Sequence, residues 1–200
     1  SGNHTSIPYV GEDEFLSLSA ERVWIETHKA LISEHPEEYF KVLKKADCLH
    51  YFFDLSDIRE VIQLIEHIKK KYDDDDQRWA AINSLSNNHK KTNELLKVPK
   101  KFSKLSEKVH ECIRLLTQEN TDLEILDSLH RISFFREPSS AKKAIKLSDD
   151  LLKVKRSDLC LQPSLILDIL KNLEDSKIKM NDSLKDMKDE DKKSKLSELR

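Results

Sequence analysis

The sequence predicts an all-α fold, a multi-helix bundle, and three observations carry that prediction. Glycine occurs only at Gly2 and Gly11 in 200 residues, so from Glu12 onward the chain lacks the residue on which tight β-hairpin turns depend. Charged residues make up 36% and hydrophobic ones 38%, a balance suited to helices with one buried stripe and a long solvated face. Apolar residues then recur at spacings of three and four along most of the chain. The same glycine count leaves no P-loop, dinucleotide-binding G-x-G-x-x-G or G-x-S-x-G nucleophile elbow beyond Glu12.

Taken in order, Ser19 caps a first helix, with Glu21 in its first turn where the helix dipole favours an acid. Ala20, Val23, Trp24, Thr27 and Leu31 fall on its buried face, and Arg22 and Glu26 are spaced to pair. Pro36 opens a second helix whose stripe is Tyr39, Phe40, Leu43 and Ala46. A loop over 53–56 leads to Asp57, which caps a third helix carrying Ile58, Val61, Ile62, Ile65, Ile68 and Tyr72. The four aspartates Asp73 to Asp76 read as a solvated loop and a soft boundary. Trp79, Ala80, Ile82 and Leu85 predict a short helix, followed by a polar Ser-Asn-Asn-His-Lys-Lys segment. After Pro99 come four stripes: Phe102, Leu105, Val109, Cys112, Ile113, Leu116; then Leu123, Leu126, Leu129, Ile132; then Ala141, Ile145, Ser148, Leu152; then Leu165, Ile166, Ile169, Leu170, Leu173. Pro138 and Pro163 mark the starts of the last two.

Residues 1–16 read as the remnant of a preceding segment, since the chain opens Ser1-Gly2 without Met. A helical subdomain over 17–72, a helical body over 77–174 and a charged tail over 175–200, partly disordered or a solvated helix, complete the organisation. No stretch approaches the roughly 20 apolar residues of a membrane span. Cys48, Cys112 and Cys160 are odd in number and scattered, which fits small core residues in a reducing compartment, the cytoplasm. The sequons at Asn3 and Asn181 are of the kind a polar chain contains by chance.

The eight histidines include no His-Asp doublet, no H-E-x-x-H and no pair four apart, so no metal site or catalytic base is assigned. Charge is more informative. The net charge is −2, but the stretch 89–108 holds seven lysines against Glu94 and Glu107, a local +5. A second run over 141–157 reaches +4. Such clusters match the footprint of a protein that follows a phosphate backbone. A solvated helix face is the alternative.

Leu18-Ser19-Ala20-Glu21-Arg22-Val23-Trp24-Ile25-Glu26 resembles the motif that opens the helical region of class II tRNA nucleotidyltransferases, the bacterial CCA-adding enzymes and poly(A) polymerase relatives. Ala30-Leu31, Pro36, Tyr39-Phe40-Lys41-Val42-Leu43 and the segment 49–53 are similar to that family's helix pair. Arg78-Trp79-Ala80-Ala81-Ile82 resembles the start of a segment that carries an HD-type phosphohydrolase in one bacterial branch. In place of the His-Asp doublet the chain reads Asn83-Ser84-Leu85-Ser86-Asn87-Asn88, which implies that this hydrolase is lost. It also reads Asp47-Cys48-Leu49 and Phe53-Asp54 where the family has a Gly and a Phe-Pro.

The resemblance implies a neck, body and tail without a catalytic head, and an inactive chain on its own. Mg²⁺ and ATP or CTP would bind the head, leaving this chain no cofactor or metal. It further implies structural roles in the neck for Ser19, Glu21, Arg22 and Glu26, and tRNA as the partner, with no DNA and no membrane. Lys90, Lys91, Lys97, Lys100, Lys101, Lys104, Lys142, Lys143 and Arg156 are the expected phosphate contacts. A helical protein-interaction module is the other reading of the same bundle.

Overall fold

The computed structural model describes the backbone of residues 18–55 and 57–198, and side chains through residue 187 apart from positions 52 and 177. The expected remnant at 1–16 and the sequon at Asn3 lie outside the described residues. Ten helices and no strand are found among those described: α1 (Ala20–Leu31), α2 (Pro36–Lys45), α3 (Leu49–Phe52), α4 (Ile58–Lys71), α5 (Asp75–Asn83), α6 (His89–Leu95), α7 (Lys100–Thr117), α8 (Asp122–Arg131), α9 (Pro138–Val154) and α10 (Pro163–Glu198). The fold is all-α.

Helix α5 is the hub, packing on α1, α4, α7 and α9. Seven of its nine residues are buried, including Trp79, Ala80, Ala81 and Ile82. A helix buried on every side shows no apolar stripe, which is why only its middle was visible in the sequence. Trp79 packs edge-on against Trp24 of α1 at 5.1 Å, and Trp24 against Phe102 of α7 at 5.0 Å. Phe53 continues the aromatic chain from Trp79 to Phe40 of α2. One core therefore runs from Val23 to Leu170 across the acidic run at 73–76.

That run is not the expected solvated loop. Asp75 and Asp76 are the first residues of α5, and Asp76 is buried. Acids stabilise a helix N-terminus, and here their carboxylates also meet lysines from distant helices. Behind them Arg78 is buried, donating to the carbonyls of Tyr72 (2.7 Å), Leu31 (2.7 Å) and Lys69 (3.3 Å). Its planar fork satisfies acceptors at the C-terminal ends of both α1 and α4, groups that a helix leaves without intrahelical partners.

With no glycine at hand, four helix ends use other residues in the left-handed region. Asp47, Lys97, Ser133 and Arg156 have φ of 55°, 49°, 61° and 53°. Each lies one residue past a C-cap, and the next residue's N–H returns five positions: Cys48 to Leu43, Val98 to Asn93, Phe134 to Leu129 and Ser157 to Leu152. These are Schellman closures, normally the place of Gly. Other caps follow the sequence: Ser19 accepts from Arg22 N, Asp57 from Arg59 N, and Thr121 with Glu124 forms a full capping box.

Several expectations are corrected. The polar segment after Leu85 contains a helix start, since Asn88 caps α6, and Asn83, Ser86, Thr92 and Asn93 are buried around it. The α8 stripe is only half used: Leu123 and Leu126 are exposed, whereas Ile132 and Ser128 are buried. On α10, Ile166 and Leu170 are buried, but Leu165 and Ile169 face outward. Cys48 and Cys112 are core residues as expected, while Cys160 is exposed, its thiol donating to the Thr117 carbonyl. No helix among the described residues is long and apolar enough to cross a membrane. The tail continues α10, with exposed side chains from residue 178 to 187.

Candidate nucleic-acid interface

Lys101, Lys104 and Lys108 recur at three and four on α7, so they share one edge of the helix, beside buried Leu105. Across from them, α9 brings Lys143 and Ser140 to the same place. Together they line a cleft of about 470 Å³ whose other walls include Asp76 and Glu137. The two lysine runs, separate in sequence, meet here.

Carboxylates hold most of these amines. Lys101 Nζ donates to Asp75 at 2.9 Å, and Lys143 Nζ to Asp76 at 3.0 Å with Asp74 at 3.8 Å. Lys108 Nζ donates to Ser140 Oγ at 2.8 Å and lies 3.6 Å from Glu137. Lys104 has no carboxylate within ion-pair distance among the described residues. Asp75 is shared, since His28 Nε2 of α1 lies 2.9 Å from its other oxygen. Burial raises the Asp75 carboxyl, but the His28 and Lys101 hydrogen bonds outweigh it and bring its pKa down to about 2. Asp75 thus joins α1 to the cleft.

The remaining expected phosphate contacts lie elsewhere. Lys90 and Lys91 are exposed in the first turn of α6, and Lys100 at the start of α7. Lys97 pairs with Glu21 of α1 at 2.6 Å, and Lys142 is half-buried on α9. Arg156 is exposed and, like Lys97, closes a helix. Sequence reasoning counted Lys108 in the basic run but not among the expected contacts, although its place on the Lys104 face was readable, and it missed Asp75 and Asp76. Those acids lie 26 and 67 residues from the lysines they bind, which no local pattern encodes.

The residues expected to have structural roles in a neck are placed as follows. Ser19 caps α1, Glu21 accepts from Lys97, and Arg22 pairs with Glu26 at 3.2 Å. Glu26 also lies 3.5 Å from Lys29.

Around Asn83 the structure has an amide cluster. Asn83 Nδ2 donates to Ser106 Oγ (2.7 Å), the His89 carbonyl (3.2 Å) and Asn93 Oδ1 (3.2 Å), and Trp79 Nε1 donates to the same Asn93 oxygen (3.0 Å). His89 and His110 stack beside it with ring centroids 3.6 Å apart. Burial, and the charge each would present to the other, push His89 down to about 4; burial lowers His110 as well. No group of three or more His, Cys, Asp or Glu among the described residues is placed to hold a metal ion.

Fold and surface define an all-helical module with a lysine-lined cleft. Its first helices carry a family signature: a model described as the probable RNA- and SrmB-binding site of polymerase A matches residues 16–59. The CCA-adding enzyme of Blochmanniella floridana is 56% identical over 45 residues, 22% of this chain and 11% of that protein. The multifunctional CCA protein of Pasteurella multocida is 50% identical over 40 residues, 20% and 10% respectively. The CCA-adding enzyme of Pseudomonas putida strain F1 is 30% identical over 133 residues, 62% of this chain and 35% of that protein. No solved structure matches. The chain is thus similar in its first helices to CCA-adding enzymes, and its matches span from about a tenth to about a third of the length of these curated relatives.

Proposed function

We propose that this chain is the tRNA-holding helical part of a CCA-adding or poly(A)-polymerase-like nucleotidyltransferase, presenting the acceptor stem and T-arm to a catalytic head. The observation that carries the reading is the convergence of Lys101, Lys104, Lys108 and Lys143 in a cleft tied to the family-matched segment through Asp75 and His28. Amines arrayed in this way suit the phosphates of a structured RNA, which proteins grip by shape and backbone rather than by base edges. Mg²⁺ and ATP or CTP belong to the head in this reading, and the cytoplasm is the place where such a protein meets tRNA.

The test is charge reversal at exposed lysines, Lys90→Glu, Lys91→Glu, Lys100→Glu and Lys104→Glu, with tRNA affinity as the readout. The expected loss is at least about tenfold for the set, with the salt slope shrinking by roughly one unit per lysine. Unchanged affinity contradicts the reading.

A second reading, a helical protein-interaction module, is favoured by one observation: Leu123 and Leu126 of α8 and Leu165 and Ile169 of α10 are apolar and exposed. Salt-independent affinity for a protein, with none for RNA, distinguishes it.

A further inference from the structure

We infer that the cleft between α7 and α9 is a seat for one phosphate group, in which a phosphate takes over the lysines that Asp75, Asp76 and Glu137 now hold. The inference rests on the RNA-binding reading for the source of that phosphate, but not for the seat itself.

The cleft is prepared for a compact anion. Its lining carries four ammonium groups, Lys101, Lys104, Lys108 and Lys143, against two carboxylates, Asp76 and Glu137. Asp75 and Asp74 reach Lys101 and Lys143 from outside that lining, at 2.9 and 3.8 Å, so Lys104 is the amine left without an acid partner among the described residues, and the cleft of about 470 Å³ has room for one phosphodiester or phosphomonoester group. Buried Leu105 gives one wall an apolar floor, which lowers screening there.

The ion pairs already have the geometry that a phosphate oxygen needs. Lys143 lies 3.0 Å and Lys101 2.9 Å from a carboxylate oxygen. The carboxylates therefore hold both side chains near the cleft, and ordering a flexible lysine is one of the costs of binding. Lys108 is bound to a neutral hydroxyl, Ser140 Oγ, and lies farther, 3.6 Å, from Glu137. Lys104 is exposed with no acid partner among the described residues, so it meets the incoming anion first. Ser140 can then turn its hydroxyl to donate to the phosphate.

Asp75, Asp76 and Glu137 compete with the ligand for these amines. Such competition weakens an anion of one charge more than one that reaches several amines at once. Tetrahedral phosphate, with oxygens directed to different lysines, is favoured over chloride or a carboxylate.

The experiment uses the 200-residue chain, with inorganic phosphate as the probe and backbone amide resonances as the readout, followed by tRNA binding. Phosphate is expected to shift the amides of Ser140, Lys143 and Lys104 saturably, while equal sodium chloride does not. Lys104→Gln, which breaks no ion pair among the described residues, is expected to weaken that response several-fold, whereas Lys91→Gln on α6 leaves it unchanged. Cleft amides that stay put throughout the phosphate titration overturn the inference, as does a Lys104→Gln response equal to that of the parent chain. The tRNA arm assigns the source: a several-fold weaker complex with Lys104→Gln places an RNA phosphate in the seat, and an equal one places a free phosphate there. If the parent chain binds phosphate but no tRNA, the RNA-binding reading fails and the seat stands.

Discussion

The Arg78 guanidinium donates to the Leu31 carbonyl over 2.7 Å and so closes the C-terminal end of α1 from a helix 47 residues further along. Its other two bonds close α4. One buried side chain thus sets the positions of α1, α4 and α5 relative to one another, and with them His28 and Asp75, the two residues that connect the family-matched segment to the lysine cleft. Arg78→Lys keeps the charge but loses the fork. It is expected to destabilise the chain by about 2–4 kcal/mol, read from denaturant unfolding. A loss below about 0.5 kcal/mol shows that the three carbonyls are satisfied without it.

Asp47 and Arg156 adopt a left-handed conformation that glycine adopts without the steric cost of a Cβ. Asp47→Gly and Arg156→Gly are each expected to stabilise the fold by roughly 0.5–1 kcal/mol. Thermal unfolding checks this, with an expected rise of about 1–4 °C per substitution. A fall in Tm shows that lost chain entropy outweighs the relief.

Asn93 Oδ1 accepts from two buried donors, Trp79 Nε1 and Asn83 Nδ2. Asn93→Ala leaves the indole donor without that acceptor and is expected to cost about 2–4 kcal/mol in denaturant unfolding. An effect under about 1 kcal/mol shows that the amide cluster is not needed to hold α5 to α6.

His89 titrates at about 4 in the folded chain, because burial and the facing His110 oppose its charge. Groups around the pair are Lys90 on α6 and Glu111 and Arg114 on α7. An unfolded histidine titrates near 6.5, so between these values the unfolded state binds more protons and stability falls as pH is lowered. The expected result is a Tm that drops from pH 6.5 to 4 and a flatter profile in His89→Gln. Identical profiles rule out the histidine pair as the source. Asp75 acts lower down: its depressed pKa gives stability that is present above the unfolded carboxylate value and is lost as pH falls toward about 2.

The parts of the fold legible in the sequence are those with one wet face. On α1, α4 and α7 the stripes Val23-Trp24-Thr27-Leu31, Val61-Ile65-Ile68 and Phe102-Leu105-Val109-Cys112 are buried as the spacing predicts. Helix α5 was partly hidden because its neighbours cover it on all sides, and its acidic first turn imitates a solvated loop. Half of the α8 stripe was misread, since Leu123 and Leu126 have no neighbour among the described residues that buries them. For the site, the lysine types were visible but their meeting was not. Lys101 and Lys143 converge only because α7 and α9 pack side by side around α5.

The central claim, that the lysine-bearing helices hold structured RNA, is tested most directly by binding of the 200-residue chain to full-length tRNA across a salt series, with single-stranded RNA of equal charge as competitor. The account predicts an affinity that falls steeply with salt and a clear preference for tRNA. Absence of binding to either RNA at low salt contradicts it, and leaves the lysines as solvated faces of a helical scaffold.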